Sequence, residues 1–179
     1  MAHPSITFVA PLVRAALATL AQGMPDQIAA FNAQAENLVD LTTPQTYVFG
    51  ALPLLASAAH PIVECAGVSG DIGNFTVGRA TGDHDLRINV AIWAQGQTGD
   101  VPALYEETLG LMRCVVEVLV HEGGFGPGVK LANDLGISWR CDVIPADLTA
   151  ASQEAGRSIE AWRGSGLLQF RCEPLESFA

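Results

Sequence analysis

Between Asp83 and Leu119 the chain reads DHDLRINVAIWAQGQTGDVPALYEETLGLMRCVVEVL, and the spacing of its apolar residues changes halfway along. In the first half Leu86, Ile88, Val90 and Ile92 alternate with Arg87, Asn89 and Ala91, the two-residue period of a strand with one buried face. QGQTGD then makes a turn, and Asp100 is placed to cap a helix beginning at Val101. In the second half Val101, Leu104, Tyr105, Thr108, Leu111, Met112, Val115 and Leu119 line one stripe of that helix, while Glu106, Glu107 and Arg113 point elsewhere. HEGGFGPG ends it, because Gly123 or Gly124 supplies a left-handed residue and Pro127 forbids continuation. A chain with this unit at its centre must lay a long helix across a sheet.

The flanking segments extend the same pattern. Ser5 to Gln22 has a helical period, with Phe8, Leu12, Ala15, Ala16 and Leu20 on one face, and Gly23 fits the residue that closes a helix. Pro25 then opens a second short helix, carrying Ile28, Phe31 and Ala35. Asn37 to Ala59 reads as irregular chain with a short strand at Tyr47 to Phe49. A strand is expected around Ile62 to Ala66, and after it a Gly- and Asp-rich stretch that forms an exposed loop or a hairpin whose second arm is Phe75 to Arg79. Leu135 to Ile144 alternates again, with Ile137, Trp139, Cys141 and Val143 on one side and Ser138, Arg140 and Asp142 on the other. After a polar excursion from Leu148 to Trp162, GLLQFRCEPLE forms a last strand with Leu168, Phe170 and Cys172 on its apolar face.

Strands separated by one long central helix, after a helical N-terminus, define an α+β domain. The sheet is expected to be mostly antiparallel or mixed, with the N-terminal and central helices on one face. Residues 1–179 form a single domain, in which 1–36 is the helical N-terminal segment and 62–173 the α+β core. The other sheet face, carrying Arg87, Asn89, Ser138 and Arg140, is too weakly polar for plain solvent surface and is a candidate for contact with a neighbouring subunit.

Composition supports that assignment. Charged residues are only 16% of the chain, against roughly 25% in ordinary soluble domains, so much of the surface must be apolar or neutral. Burying it against copies of the same chain is one solution, and a Gly- and Ala-rich monomer with a quiet surface is the other. The net charge is −10, with Lys130 and eight arginines scattered along the sequence. Phosphate backbones are held by clustered cations, so specific nucleic-acid binding is not expected. An acidic wall can still line a passage that DNA slides through. The N-terminal stretch has no basic leader, and Pro11 and Arg14 interrupt its apolar run, so neither a signal peptide nor a membrane span is expected. The four cysteines are then expected to stay reduced.

No arrangement of chemistry-bearing residues stands out. His84 lies between Asp83 and Asp85, but neighbours in a strand point to opposite faces, so it cannot share a site with both carboxylates. His121 sits at a helix end, where an imidazolium complements the dipole. His3 and His60 have no partner nearby in sequence. Cys65, Cys114, Cys141 and Cys172 show no metal-binding spacing, and Cys141 and Cys172 fall on apolar strand faces, where a thiol packs as a small hydrophobe. GGFGPGVK, Gly123 to Lys130, superficially resembles a phosphate loop. However, Val129 separates Gly128 from Lys130, no Ser or Thr comes after the lysine, and the glycines leave a helix rather than enter one. Asp83, Asp85 and Asp100 lack the spacing of a calcium loop. Catalytic, cofactor-binding and metal-ligating residues are accordingly expected to be none, and the chain is not expected to be an enzyme.

The order of elements carries a resemblance. An N-terminal helix, a P-I-V strand, a glycine-rich stretch, the strand LRINVAIWA, a turn ending in Asp, the helix LYEETLGLMRCVVEVL and a last strand LLQFRCE together resemble the tail-terminator (tail-completion) proteins of long-tailed bacteriophages. The resemblance covers Ile62 to Glu173. It implies a structural virion protein, assembled in the bacterial host cytoplasm, that forms a homo-oligomeric ring, typically a hexamer, at the head-proximal end of the tail. Its implied partners are itself, the tail-tube protein and the head–tail connector protein, with DNA passing through the ring and no membrane involved. It brings no catalytic residue and no cofactor. A head-side connector, neck or other capsid-associated protein is the alternative from the same kind of particle. A small-molecule binding domain or an unrecognised enzyme is the alternative from another class.

Overall fold

The strand-like alternation commits the middle and end of the chain to a sheet, and in a computed structural model that sheet has six strands with both helices on one side. The structure describes residues 4–50, 60–73, 83–97, 100–121, 129–131, 136–145 and 161–174. In chain order the elements are α1 (Pro4–Asn32), β1 (Thr46–Phe49), β2 (Ile62–Gly73), β3 (Asp83–Gln97), α2 (Val101–His121), β4 (Val129–Leu131), β5 (Ile137–Pro145) and β6 (Ala161–Pro174). The strands run in the order β1-β2-β3-β6. Beyond them β5 pairs with residues 162–170 of β6, and β4 with residues 172–174. Only the β1–β2 pair is parallel, so the sheet is mixed and the class is α+β.

The core lies between this sheet and the helix pair. α1 packs on β1, β2 and α2, while α2 packs on β3, β6 and β5. On the sheet's helix side the register aligns Val63, Ile92, Gly166 and Cys141 in one row and Cys65, Val90, Leu168 and Trp139 in the next. Leu12, Val13, Ala16, Leu20, Met24 and Ile28 of α1 close the core from above, each 5% exposed or less. β2 has one extra residue between Cys65 and Val68, a bulge in its pairing with β3.

Two glycines let α2 approach the sheet closely. A Cβ at Gly164 would stand 2.0 Å from Thr108 Oγ1, and one at Gly166 would stand 2.7 Å from Met112 Sδ. The Thr108 hydroxyl, fully buried, donates back to the Leu104 carbonyl at 2.7 Å and so needs no partner from the strand below. On the far flank of α2, Gly110 makes room for Leu41 and Phe31. Leu41 is held there by reciprocal bonds with Asn32, whose Nδ2 donates to the Leu41 carbonyl while its Oδ1 accepts from the Leu41 amide.

The structure corrects the sequence reading in four places. First, α1 runs unbroken from Pro4 to Asn32, straight through Gly23 and Pro25. Leu20, Met24 and Ile28 form one buried stripe, and Pro25 and Ala21 both face solvent, so the carbonyl that proline leaves without an amide donor belongs to an exposed residue, where water can reach it. Second, β2 reaches Gly73 and pairs with β3 from Asp83 onward, while the expected hairpin arm Phe75 to Arg79 lies outside the described residues. Third, β4 (Val129–Leu131) has no counterpart in the sequence reading, and β6 begins at Ala161, inside the polar excursion. Fourth, Trp139, read on the apolar side of its strand with Cys141, is 64% exposed. It does share the helix side with Leu168, but β5 is an edge strand and α2 stands over β6.

Candidate functional site

The sheet face turned away from the helices is the surface that the alternation of β3, β5 and β6 builds at the same time as the core. Its rows run Glu64–Ala91–Leu167–Arg140, then Ile62–Trp93–Ser165–Asp142, with Asn89–Gln169–Ser138 and Arg87–Arg171 beyond. All four residues expected on this face, Arg87, Asn89, Ser138 and Arg140, are there. The topology also brings Arg163 and Arg171 to it, so half of the eight arginines scattered along the sequence share one surface.

One of those arginines has its carboxylate partner on the same face, and a second stacks on an indole there. Arg140 Nε lies 2.6 Å from Asp142 Oδ2. Glu64, only 4% exposed, accepts a hydrogen bond from Trp93 Nε1 at 3.1 Å. The Arg163 guanidinium stacks over the Trp93 ring, 5.9 Å from its centre, a contact that the carboxylate on the other end of the indole strengthens by polarising the ring. Gln169 Nε2 donates to Asn89 Oδ1 at 3.0 Å. Arg87 and Arg171 are also engaged within the chain. Between these pairs stand Ala91, Ser165 and Leu167, the last 41% exposed. The exposed part of this face, around Leu167, is therefore semi-apolar, while Ile62 and Glu64 at its β2 end are buried, and it resembles the centre of a protein–protein interface more than a solvated sheet.

Among the described residues, those weighed for chemistry are spread over β3, α2 and β4. Asp83, His84 and Asp85 lie in extended backbone at the start of β3, with His84 opposite Ile72 and Asp85 opposite Asp71. His121 ends α2. Lys130 is inside β4, opposite Glu173, and not in a phosphate-binding loop. Gly123 to Gly128 and His3 lie outside the described residues. His60 sits with Nδ1 3.3 Å from the Trp93 carbonyl. The Asp100 carbonyl accepts the first hydrogen bond of α2, from the Leu104 amide, as its capping position requires.

Cys65, Cys114 and Cys141 are free thiols. Burial, helped by the adjacent Glu64 carboxylate, pushes Cys65 up to about 12. Burial likewise raises Cys114 to about 11, and burial with the Asp142 charge raises Cys141 to about 11. Thiols held this far into the protonated state are poor nucleophiles and poor metal ligands at neutral pH. Among the described residues no three His, Cys, Asp or Glu side chains gather to hold a metal ion. No described helix is long and apolar enough to cross a membrane.

The chain matches no known protein-family model, and a search of the curated proteins finds no match.

Proposed function

We propose that this chain is a structural virion protein of a long-tailed bacteriophage. In this reading it assembles with copies of itself into a ring at the head-proximal end of the tail, ends growth of the tail tube and meets the head connector. The observation that carries the reading is the sheet face turned away from the described helices, where exposed Leu167 stands among the Arg140–Asp142 pair and the Glu64–Trp93–Arg163 stack. Neighbours around a rotation axis meet through two different patches, so each subunit hides surface twice. A chain with 16% charged residues then has most of its weakly polar surface covered in the assembly. The α+β order of elements, which resembles that of tail-terminator proteins, supports the same role.

The test is imaging of intact particles carrying a gold-labelled copy of the protein. A single cluster of label on the tail side of the neck is expected. Label on the head side of the neck would replace the terminator reading with the connector reading. Infectivity of particles carrying His84→Ala and Asp85→Ala should be unchanged, and its loss would favour chemistry at the start of β3.

A further inference from the structure

The edge strand β5 carries a self-complementary pattern, and we infer that two copies of this chain pair antiparallel through it, about a two-fold axis at Cys141. This contact is independent of the ring reading, since an isologous pair closes at two copies whereas a ring needs head-to-tail contacts.

Strand geometry selects the edge and the register. The Arg171 amide donates to the Gly136 carbonyl, its direct opposite, so even-numbered residues of β5 turn their backbone groups toward β6. Ile137, Trp139, Cys141 and Val143 then turn theirs to the open edge. An added strand must pair odd residues with odd residues to keep both apolar faces on the helix side. That leaves centres at 139, 140, 141 or 142. Centring on 140 sets arginine against arginine, and centring on 142 sets aspartate against aspartate, both unfavourable across a strand pair. Centring on 139 leaves Arg140 opposite serine. Only the centre at Cys141 places Arg140 of each copy opposite Asp142 of the other. Those two positions form the pairs without backbone bonds, where side chains approach most closely. The Arg140–Asp142 contact already present within one strand, at 2.6 Å, becomes half of a four-charge network.

The helix side shows the same unfinished state. Tyr105, Leu109, Met112, Val116 and Val120 recur every three or four residues along the flank of α2 away from α1. Of these, Tyr105 is 39% and Val120 42% exposed, next to Trp139 at 64%. Leu109 and Val116 are partly buried, as are Ile137, Cys141 and Val143 beneath them. α2 stands over β6, so in the paired sheet the two α2 helices lie three strand spacings apart, about 14 Å. Packed helices stand roughly 8–10 Å apart, which leaves a gap that two Trp139 side chains fill. Among the described residues no strand pairs with the other edge of the nine-residue β5, and an edge left open is otherwise a site for uncontrolled pairing.

Two single variants test the register. Arg140→Asp makes both charged positions acidic, and Asp142→Arg makes both basic. By sedimentation across concentration, the native chain is expected to associate first as a pair with twice the single-chain mass, before any ring forms. Each variant alone is expected to pair at least tenfold more weakly, and an equimolar mixture should recover pairing as mixed dimers only. Circular dichroism with thermal melting confirms that each variant is folded. Mild oxidation of the native pair and subsequent peptide mapping should yield a Cys141–Cys141 link, because direct partners of this kind stand about 5.5 Å apart at Cα. Variants that pair as strongly as the native chain, a mixture that does not recover pairing, or a link through another cysteine would overturn the assignment. Trp139→Asp, on the helix side of β5 and so outside the face proposed for the ring, should also weaken pairing. Particles made with it should still carry the label at the neck, so loss of this contact is distinguishable from loss of the ring.

Discussion

Gly164 lies directly beneath Thr108, and the missing side chain at 164 is what allows α2 to rest on β6. A methyl group there would fall 2.0 Å from the threonine hydroxyl oxygen. Gly164→Ala should therefore force α2 off the sheet and cost about 1–3 kcal/mol, the usual range for overpacking a core. Removing the hydroxyl as well, with Thr108→Ala, should recover part of that loss. A double-mutant cycle in urea, showing a favourable coupling between the two changes, checks this.

Trp93 and Glu64 give a second expectation on the other side of the sheet. The Glu64 carboxylate is nearly inaccessible and takes a hydrogen bond from the indole. Trp93→Phe removes that donor while Glu64 keeps its other interactions, so a loss of about 1–3 kcal/mol is expected. In a Glu64→Gln background, where no buried charge is left short of a donor, the same Trp93→Phe change should cost less. Denaturation midpoints of the four proteins decide it.

The buried thiol of Cys65 makes stability fall in alkali. Its folded value, pushed up to about 12, lies above the ordinary thiol value of 9.0 that holds for the unfolded chain. Between these values the folded state holds the proton and the unfolded state releases it. The contribution is thus complete below about pH 9 and is lost as pH rises toward 12, by at most about 1.4 kcal/mol per pH unit. Unfolding measured at pH 8 and pH 10 should show the decline. Cys65→Ala should make it shallower, leaving the parts that Cys114 and Cys141 contribute, and an unchanged slope would contradict the assignment.

Pro25 occupies a helix interior, where it leaves the Ala21 carbonyl without an amide donor. Pro25→Ala restores that bond at an exposed position and should raise stability by about 1–2 kcal/mol. Thermal unfolding of the variant checks it, and a lowered midpoint would mean that α1 is interrupted there.

The miss at Pro25 and the success at α2 share one physical cause. In α2 the local signals and the burial stripe agree, so Asp100, Leu104 and Leu111 are legible as cap and core. In α1 the local signals Gly23 and Pro25 say stop, while Leu20, Met24 and Ile28 have a continuous surface to bury, and tertiary burial wins. Periodicity likewise reveals the faces of β3 and β6 but not their neighbours. Trp139 alternates correctly with Arg140, yet its exposure depends on where α2 stops covering the sheet, a relationship between distant segments. The helix-free face is legible in part: Arg87, Asn89, Ser138 and Arg140 come from alternation alone. The Glu64–Trp93–Arg163 stack needs the β2–β3–β6 register, which no local pattern encodes.

The central claim is that this chain covers its weakly charged sheet face by assembling with copies of itself. Its most direct test is the mass of the purified protein, as the Trp139→Asp variant, whose change lies on the helix side of β5 and weakens strand pairing, measured across concentration with and without tail tubes. The account predicts a ring species, about six times the 18.8 kDa chain, that Leu167→Asp abolishes while leaving the fold intact. A single 18.8 kDa species at every concentration, unchanged when tail tubes are supplied, would contradict it.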